Sequence, residues 1–285
     1  MARSTARLTA LISFAAAAAL AVSLTGCQTD APAGGGDDTG GGYLTDGKIT
    51  IGTGEPAYYP WVIDDAPETG QGFEAAIGYA VAEQLGFDKT DVVWVRTTFD
   101  EAIAPGPKDF DFNLQQYSIT PERAANIDFS SPYYETTQVV ITTESSAAAG
   151  AKSIADLKPL LIGAQVGTTS FDAIEQQIAP DAGARAYNTN DDAKLALESG
   201  QVDAIVVDLP TAFYLTGVEL DGGLIIGQLP KPDGKSGDEF GLVLAKDSPL
   251  TATVTAAVDA LRDDGTLQSI ADQWLADAAD APVLQ

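Results

Sequence analysis

The segment Ser118–Arg123 (SITPER) combines residue types that recognise a carboxylate. Thr120 is a favourable helix N-cap and Pro121 suits the first helical position, so a helix is expected to begin here. Arg123 then falls in the first turn, where the helix dipole disfavours a cation by about 0.3–1 kcal/mol. An incoming carboxylate would offset that cost, because the guanidinium and the free helix N–H groups would both bind it. A surface arginine paired with Glu122 or Asp128 is the alternative.

A second candidate anion site is the turn Gly167–Ser170 (GTTS), which separates an apolar strand from an amphipathic helix. Glycine permits close approach of the backbone, and Thr168 and Thr169 place hydroxyl groups beside helix N–H groups. The same residue types are also ordinary helix N-caps. The pattern alone therefore leaves a purely structural role equally open.

Asp208 ends the apolar strand VDAIVVD at its carboxyl edge, where open α/β sheets bind ligands. A carboxylate at this position would suit the α-ammonium group of an amino acid. The alternative is a helix N-cap for residues 209–215, since Pro210 follows in the first turn.

The composition excludes several classes of function. The 285-residue chain has 41 acidic and 15 basic side chains and a formal charge of −26, so it would repel a nucleic acid. It has no histidine, which excludes Ser-His-Asp triads, Cys-His pairs and His-ligated metal sites. Cys27 is the only cysteine, so no internal disulfide can form. No metal and no cofactor are expected, and the absences favour binding over catalysis.

The N-terminal segment has the layout of a secretory signal peptide. Arg3 and Arg7 precede the apolar run 8–24, and small residues and Cys27 follow. A membrane-spanning anchor is the alternative, although no cluster of basic residues follows the run. The tetrapeptide 24–27 (LTGC) resembles a bacterial lipobox, in which the cysteine is lipidated.

We therefore expect a lipoprotein signal peptide over residues 1–26 and a lipid-anchored flexible linker over residues 27–47. The linker is rich in glycine and aspartate, and a flexible chain of this length spans roughly 25 Å. Two or three acyl chains would hold the folded part stably at the outer, extracytoplasmic face of the cell membrane.

From Lys48 onward, the pattern predicts alternating strands and helices. The expected strands cover residues 48–54, 91–95, 127–134, 136–143, 160–166, 202–208 and 240–246. The expected helices cover residues 72–87, the segment after 166, the segment before Gly200, and residues 249–263 and 266–278. This alternation is typical of α/β architecture with mostly parallel sheets.

Nine segments, in order along the chain, resemble the polar amino-acid family (family 3) of extracytoplasmic solute-binding proteins, the receptor components of ABC importers. They are YYPWV (58–62), GFEAAIGYAVAEQLGF (72–87), TFDEAI (98–103), SITPERAANIDFSSPYY (118–134), SIADLK (153–158), VGTTSFDAI (166–174), LALESGQVDAIVVD (195–208), FGLVLAKDSPL (240–250) and DGTLQSIADQWL (264–275).

The resemblance implies a periplasmic-binding-protein-like type II fold, in which two crossing strands join two α/β lobes and the ligand lies between them. Residues 48–138 and 241–285 would form lobe 1, and residues 143–236 would form lobe 2. The crossing strands would lie at 139–142 and 237–240.

The resemblance also assigns roles to the candidate residues. The family places its carboxylate-binding arginine at Arg123, with Ser118 assisting. The turn that carries Thr168 and Thr169 would hold the same carboxylate from the opposite lobe, and Asp208 would bind the α-ammonium group.

Relatives place aromatic side chains against the ligand at positions that correspond to Tyr58, Trp61 and Phe99. A core role is an alternative for Trp61 and Phe99. Gln115 and Gln116 depart from the family, which usually has small residues before the Ser-x-Thr motif. These two amides predict a more polar or smaller side-chain pocket.

Selectivity is expected to depend on Glu55, because relatives that bind basic amino acids keep an acidic residue there. A solvent-facing Glu55 is the alternative. The predicted ligand is a free basic or amide-bearing amino acid, delivered by a monomeric receptor to ABC permease subunits, and acidic amino acids are disfavoured. A cleft enzyme of the same fold, a cyclic amino-acid dehydratase with Glu55 or Glu74 as general acid, is a second interpretation, and a sensor input domain is a third.

Overall fold

The computed structural model of the protein describes residues 42–231, 237–275 and 281–285. The expected signal peptide, Cys27 and all of the expected linker up to residue 41 lie outside the described residues. Within the described ranges, no helix combines the length and the apolar character that crossing a bilayer requires.

Ten strands and nine α-helices make up the fold. The strands are β1 (Ile49–Gly54), β2 (Val92–Thr97), β3 (Phe112–Asn113), β4 (Ile127–Thr136), β5 (Gln138–Thr143), β6 (Ile162–Gln165), β7 (Arg185–Tyr187), β8 (Ala204–Asp208), β9 (Gly223–Gln228) and β10 (Asp238–Ala245). The helices are α1 (Phe73–Gln84), α2 (Phe99–Ile103), α3 (Pro121–Ala124), α4 (Ile154–Leu157), α5 (Thr169–Ala173), α6 (Asn190–Glu198), α7 (Leu209–Tyr214), α8 (Thr251–Asp263) and α9 (Thr266–Trp274). These counts refer to the described residues.

The strands form two five-stranded sheets, one in each lobe. The first sheet has the order β2-β1-β3-β10-β4 and the second has the order β7-β6-β8-β5-β9. In each sheet three neighbouring strands run parallel, as the alternation of strands and helices predicts. The sheets are nevertheless mixed, because β10 pairs antiparallel with β3 and β4, and β5 pairs antiparallel with β8 and β9. The expected two α/β lobes are therefore observed, with sheets less uniformly parallel than expected.

The chain passes between the two sheets at two places. The first is Thr137, the single residue between β4 of the first sheet and β5 of the second. Residues 139–142, which the resemblance assigned to the crossing, lie inside the second sheet, because Val139 already pairs with Val207 and Gln228. The return passage lies between β9 and β10, and residues 238–240, which the resemblance assigned to it, already pair with β4 in the first sheet. Residues 281–285, which the resemblance assigned to lobe 1, instead contact β9 and the core of the second lobe.

Each lobe has its own hydrophobic core. In the first lobe, α1, α8 and α9 pack on the sheet, and Trp61, Phe73 and Phe240 form edge-on aromatic contacts at its centre. In the second lobe, two clusters lie on opposite faces of β5 and β8; Val140 and Val206 belong to one, and Val139 and Val207 to the other. Because each lobe has its own core, the lobes can move as separate bodies.

Candidate functional site

Arg123 projects from α3 into the space between the lobes. Thr120 Oγ1 accepts a hydrogen bond from Arg123 N (3.2 Å) and Pro121 is the first helical residue, so the predicted helix start is confirmed. The helix is a single turn, so its dipole is small. The guanidinium is instead positioned by two carbonyl groups: Nη1 donates to Ser118 O (2.7 Å) and Nη2 donates to Gly167 O (2.8 Å).

The guanidinium of Arg123 is buried, and no acidic side chain among the described residues forms an ion pair with it. It lies over the ring of Phe99, with 5.2 Å between Cζ and the ring centroid. The alternative of a surface arginine paired with Glu122 or Asp128 is therefore wrong, and Asp128 pairs with Lys246 instead. A buried cation held only by carbonyl groups and an aromatic ring is a strong site for a carboxylate.

The turn Gly167–Ser170 faces Arg123 from the second lobe. Thr169 Oγ1 lies 3.1 Å from Ser118 Oγ, so hydroxyl groups of the two lobes form a direct hydrogen bond. Thr168 Oγ1 caps α5 by accepting from Phe171 N (3.1 Å). The turn therefore has both of the roles that its sequence left open, a structural one at Thr168 and a cleft-facing one at Thr169.

Asp208 is the last residue of β8 and lies just before α7, but its side chain does not cap that helix. Its Oδ1 accepts instead from Gln138 Nε2 (2.9 Å), and the same nitrogen donates to Asp238 Oδ2 (2.7 Å). Gln138 is the first residue of β5 and Asp238 is the first residue of β10. One neutral amide thus joins two carboxylates at the two passages between the lobes.

Burial raises the pKa of Asp208 to about 8, and the charge of Asp238 adds to this rise. The hydrogen bond from Gln138 and the charge of Arg123 oppose it. A carboxylate in this environment is stabilised in its charged form by an added cation. Asp208 can therefore hold an ammonium group.

A small cavity between the lobes brings most of the predicted site residues together. Its lining includes Tyr58, Phe99, Gln115, Gln116, Ser118, Arg123, Thr168, Thr169 and Asp208. Gln165, Ser170 and Asn190 also line it, although the sequence did not single them out. The volume of the cavity is about 30 Å³, room for about two water molecules, so an amino acid can enter only when the lobes separate.

Two predicted site residues lie outside this lining. Trp61 is part of the first-lobe core, with 1% of its surface exposed, as its alternative role predicted. Glu55 is exposed and does not line the cavity. The position beside Gly54 is occupied by the amide of Gln115, whose Nε2 would lie 2.7 Å from a Cβ on Gly54. The solvent-facing alternative for Glu55 is therefore the one observed.

A larger groove, of about 520 Å³, lies beside the passages between the lobes. Three of its four charged lining residues, Glu122, Asp172 and Lys231, are exposed, and the fourth, Asp238, is half-buried. The smaller cavity is the better candidate site, because it alone, of the two, contains the buried Arg123 and the cleft-facing Asp208.

Further contacts join the lobes beside the cavity. Trp61 Nε1 donates to Thr211 Oγ1 (3.1 Å), and both residues are buried. The rings of Tyr59 and Tyr214 lie 4.5 Å apart. Each pair has one member in each lobe, so these contacts exist only when the cleft is closed.

Replacing Trp61 with phenylalanine should raise Kd about 2- to 10-fold, because the indole hydrogen bond that favours the closed cleft is lost. Titration calorimetry measures the change. The matched control is Trp94→Phe, which removes the bond from Trp94 Nε1 to Tyr79 OH (3.1 Å) inside one lobe and should leave Kd unchanged. An equal loss in both variants would contradict a role in closure. Thr211→Val should add no further loss in the Trp61→Phe background.

Glu74, the other candidate general acid, lies behind the cavity wall with 1% of its surface exposed. Its carboxylate accepts hydrogen bonds from Tyr133 OH and from the backbone and side-chain nitrogens of Gln116. Burial raises the pKa of Glu74 to about 7, and these hydrogen bonds oppose the rise. Glu74 therefore has the perturbed pKa of a general acid but does not line the cavity.

Because Glu74 has a higher pKa in the folded than in the unfolded protein, the free energy of unfolding should fall as pH rises from 5 to 8. Between a pKa of 4.5 when unfolded and about 7 when folded, the fall due to Glu74 is about 2–3 kcal/mol. Urea unfolding at several pH values measures it. Asp208 contributes with the same sign, so Glu74→Gln should flatten the dependence only in part. A variant whose stability still falls as steeply as the wild type would contradict this assignment.

Comparisons with known proteins agree with the geometry. The family model described as bacterial extracellular solute-binding proteins, family 3, matches residues 49–277. The L-arginine-binding protein of Pseudomonas aeruginosa is 31% identical over 240 residues, which cover 81% of this chain and 89% of that protein.

Two solved structures share the fold. An ancestral arginine-binding protein bound to arginine has a TM-score of 0.66 at 29% identity and covers 80% of this chain and 98% of its own. An ancestral arginine-binding protein bound to glutamine has a TM-score of 0.67 at 29% identity and covers 81% of this chain and 98% of its own.

These similar proteins are binding proteins, and this chain is a binding protein rather than an enzyme. The predicted type II fold of periplasmic binding proteins, with two α/β lobes, is confirmed. The extent of the family match, together with Arg123 and Asp208 facing one cavity, leads to one assignment. The chain belongs to the bacterial extracellular solute-binding proteins of family 3.

Proposed function

We propose that the protein is an extracytoplasmic receptor that binds a free basic or amide-bearing amino acid between its lobes and delivers it to an ABC permease. The observation that carries the proposal is the placement of a buried guanidinium and a carboxylate on opposite lobes of one cavity, at Arg123 and Asp208. An amino acid has the complementary charges on the two groups, ammonium and carboxylate, that are attached to its α-carbon. Binding both charges at once joins the lobes and stabilises the closed cleft.

The ligand class is proposed from the cavity and from the similar proteins. Four neutral amides, Gln115, Gln116, Gln165 and Asn190, line the cavity and suit a polar side chain. The similar proteins include an arginine-binding protein and one bound to glutamine, so L-arginine is the first compound to test. Exposed Glu55 is not needed for this preference.

The route to the permease is part of the same proposal. Cys27 would carry the lipid anchor, and the linker before Lys48 would hold the receptor close to the outer face of the membrane as a monomer. Metabolic labelling with a radioactive fatty acid, compared with Cys27→Ala, tests this part. Equal labelling of the two proteins would contradict it.

A thermal-shift panel of the common amino acids tests the ligand class. A compound at a hundredfold excess over its Kd should stabilise the protein by about 2.7 kcal/mol. The largest shifts are expected with arginine, lysine, ornithine, glutamine or asparagine. A largest shift with glutamate or aspartate would contradict the proposed class, and Glu55→Gln should leave the ranking unchanged.

A further inference from the structure

Glu74 is a buried carboxylate that no described lysine or arginine neutralises. The ion pairs among the described residues do not include it, and its partners are three neutral donors from Tyr133 and Gln116. Burying a carboxylate without a cation costs free energy, so we expect a function that requires Glu74 at this position. Two of the three donors belong to Gln116, a residue of the cavity wall.

Gln116 adopts a backbone conformation that glutamine rarely takes, with φ of 51°. The carboxylate of Glu74 accepts from Gln116 N (2.8 Å) and from Gln116 Nε2, so it holds both the backbone and the side chain. The left-handed conformation is therefore stabilised from behind the cavity wall.

The direction of the amide follows from these bonds. Because Nε2 of Gln116 is directed at Glu74, Oε1 occupies the other branch of the amide group. No hydrogen bond among the described residues uses this oxygen, and it is not sealed from solvent. Gln116 lines the cavity that contains Arg123. It also lines a second cavity, of about 20 Å³, next to the first, and Tyr58 and Asn190 line both. An unused acceptor thus faces the space beside the amino-acid anchors.

We propose that Glu74 is a positioning residue for ligand selectivity: it holds the amide of Gln116 so that Oε1 accepts a hydrogen bond from an N–H group of the ligand's side chain. This inference rests on the proposed amino-acid binding. It assigns the preferred side chains to those that end in N–H donors, which are guanidinium, ammonium and amide groups. A carboxylate or thioether side chain offers no such donor.

The test compares affinities for L-arginine and L-methionine in titration calorimetry at pH 8, above the pKa of about 7 of Glu74, so that its carboxylate is ionised. Glu74→Gln leaves residue 116 without a charged acceptor behind it, so its amide can present either end to the cavity. The ratio of the two affinities should fall about tenfold, the effect of one hydrogen bond to a charged ligand group. Glu83→Gln, on the exposed face of the same helix, is the matched control and should leave the ratio unchanged.

A double-mutant cycle separates positioning from the direct effect of charge. Gln116→Met removes the amide and should lower the ratio about tenfold by itself. Glu74→Gln should then have no further effect on the ratio in the Gln116→Met background. If Glu74→Gln lowers the ratio equally with and without Gln116, the effect is not transmitted by the amide and the inference is wrong.

If Glu74→Gln fails to fold, Gln116→Met still tests whether the amide of Gln116 binds the ligand's side chain. It leaves Glu74 with Tyr133 and with the backbone N–H group of residue 116. A ratio within twofold of the wild type would overturn the inference. Failure of the wild type to bind any amino acid would instead overturn the proposed function itself.

Discussion

Replacing Arg123 with alanine should weaken amino-acid binding by about 2–5 kcal/mol, which is roughly 30- to 5,000-fold in Kd. The substitution removes the one buried guanidinium that lines the cavity among the described residues. The ligand carboxylate would then be desolvated between the lobes without a cationic partner. Titration calorimetry with L-arginine measures the loss.

Two further variants refine this prediction. Arg123→Lys keeps the charge but loses the paired N–H groups, so it should recover only part of the affinity. Arg185→Ala removes an exposed arginine of the second lobe and should leave Kd unchanged. Wild-type affinity in Arg123→Ala would remove this residue from the site.

Asp208→Asn should produce a loss of similar size, because the ligand ammonium group would lose its charged partner in the second lobe. The substitution preserves the shape of the side chain and its contact with Gln138, so the loss reports the charge. The control is Asp181→Asn, at an exposed acid of the same lobe. Unchanged affinity in Asp208→Asn would place the ammonium group elsewhere.

The pH dependence of binding gives an independent check on Asp208. Burial and then the charge of Asp238 raise its pKa to about 8, and a bound ammonium group would lower that pKa. Binding therefore releases a proton at pH 7, and the affinity should increase by up to about tenfold per unit as pH rises from 6 toward 8. This increase should be absent in Asp208→Asn. An affinity that falls over this range would contradict the assignment.

Local signals in the sequence were sufficient for most elements of the fold. Thr120 and Pro121 predicted the start of α3, and Gly86 and Gly200, with φ of 89° and 69°, follow the ends of α1 and α6. These residues act through their own backbone conformation or side chain, so they need no knowledge of the rest of the fold.

Three strands were not predicted. β9 contains two glycines and no alternation of polar and apolar residues, β7 has three residues and β3 has two. Such strands are stabilised by the neighbours with which they pair rather than by their own residues. The resemblance placed the first crossing at 139–142, whereas Thr137 is the residue between the two sheets and Val139 already pairs within the second.

In the site, too, the residues that local signals mark were predicted and those that depend on distant partners were not. Arg123 and Asp208 were identified because each stands at the end of a predictable element. Gln138 and Glu74 were not assigned to the binding site, since their partners are 70 and 42 residues away along the chain. Glu55 is exposed and does not line the cavity, because the end of a strand fixes the position of a residue but not the direction of its side chain.

The most direct test of the proposed binding mode is a calorimetric comparison of three compounds that share one side chain. L-arginine has both charges at its α-carbon, agmatine lacks the carboxylate, and 5-guanidinopentanoate lacks the ammonium group. We expect L-arginine to bind with one-to-one stoichiometry, and each truncated compound to bind at least about 30-fold more weakly, because each leaves Arg123 or Asp208 without its partner. Equal binding of agmatine and L-arginine would contradict recognition of the amino acid by these two residues.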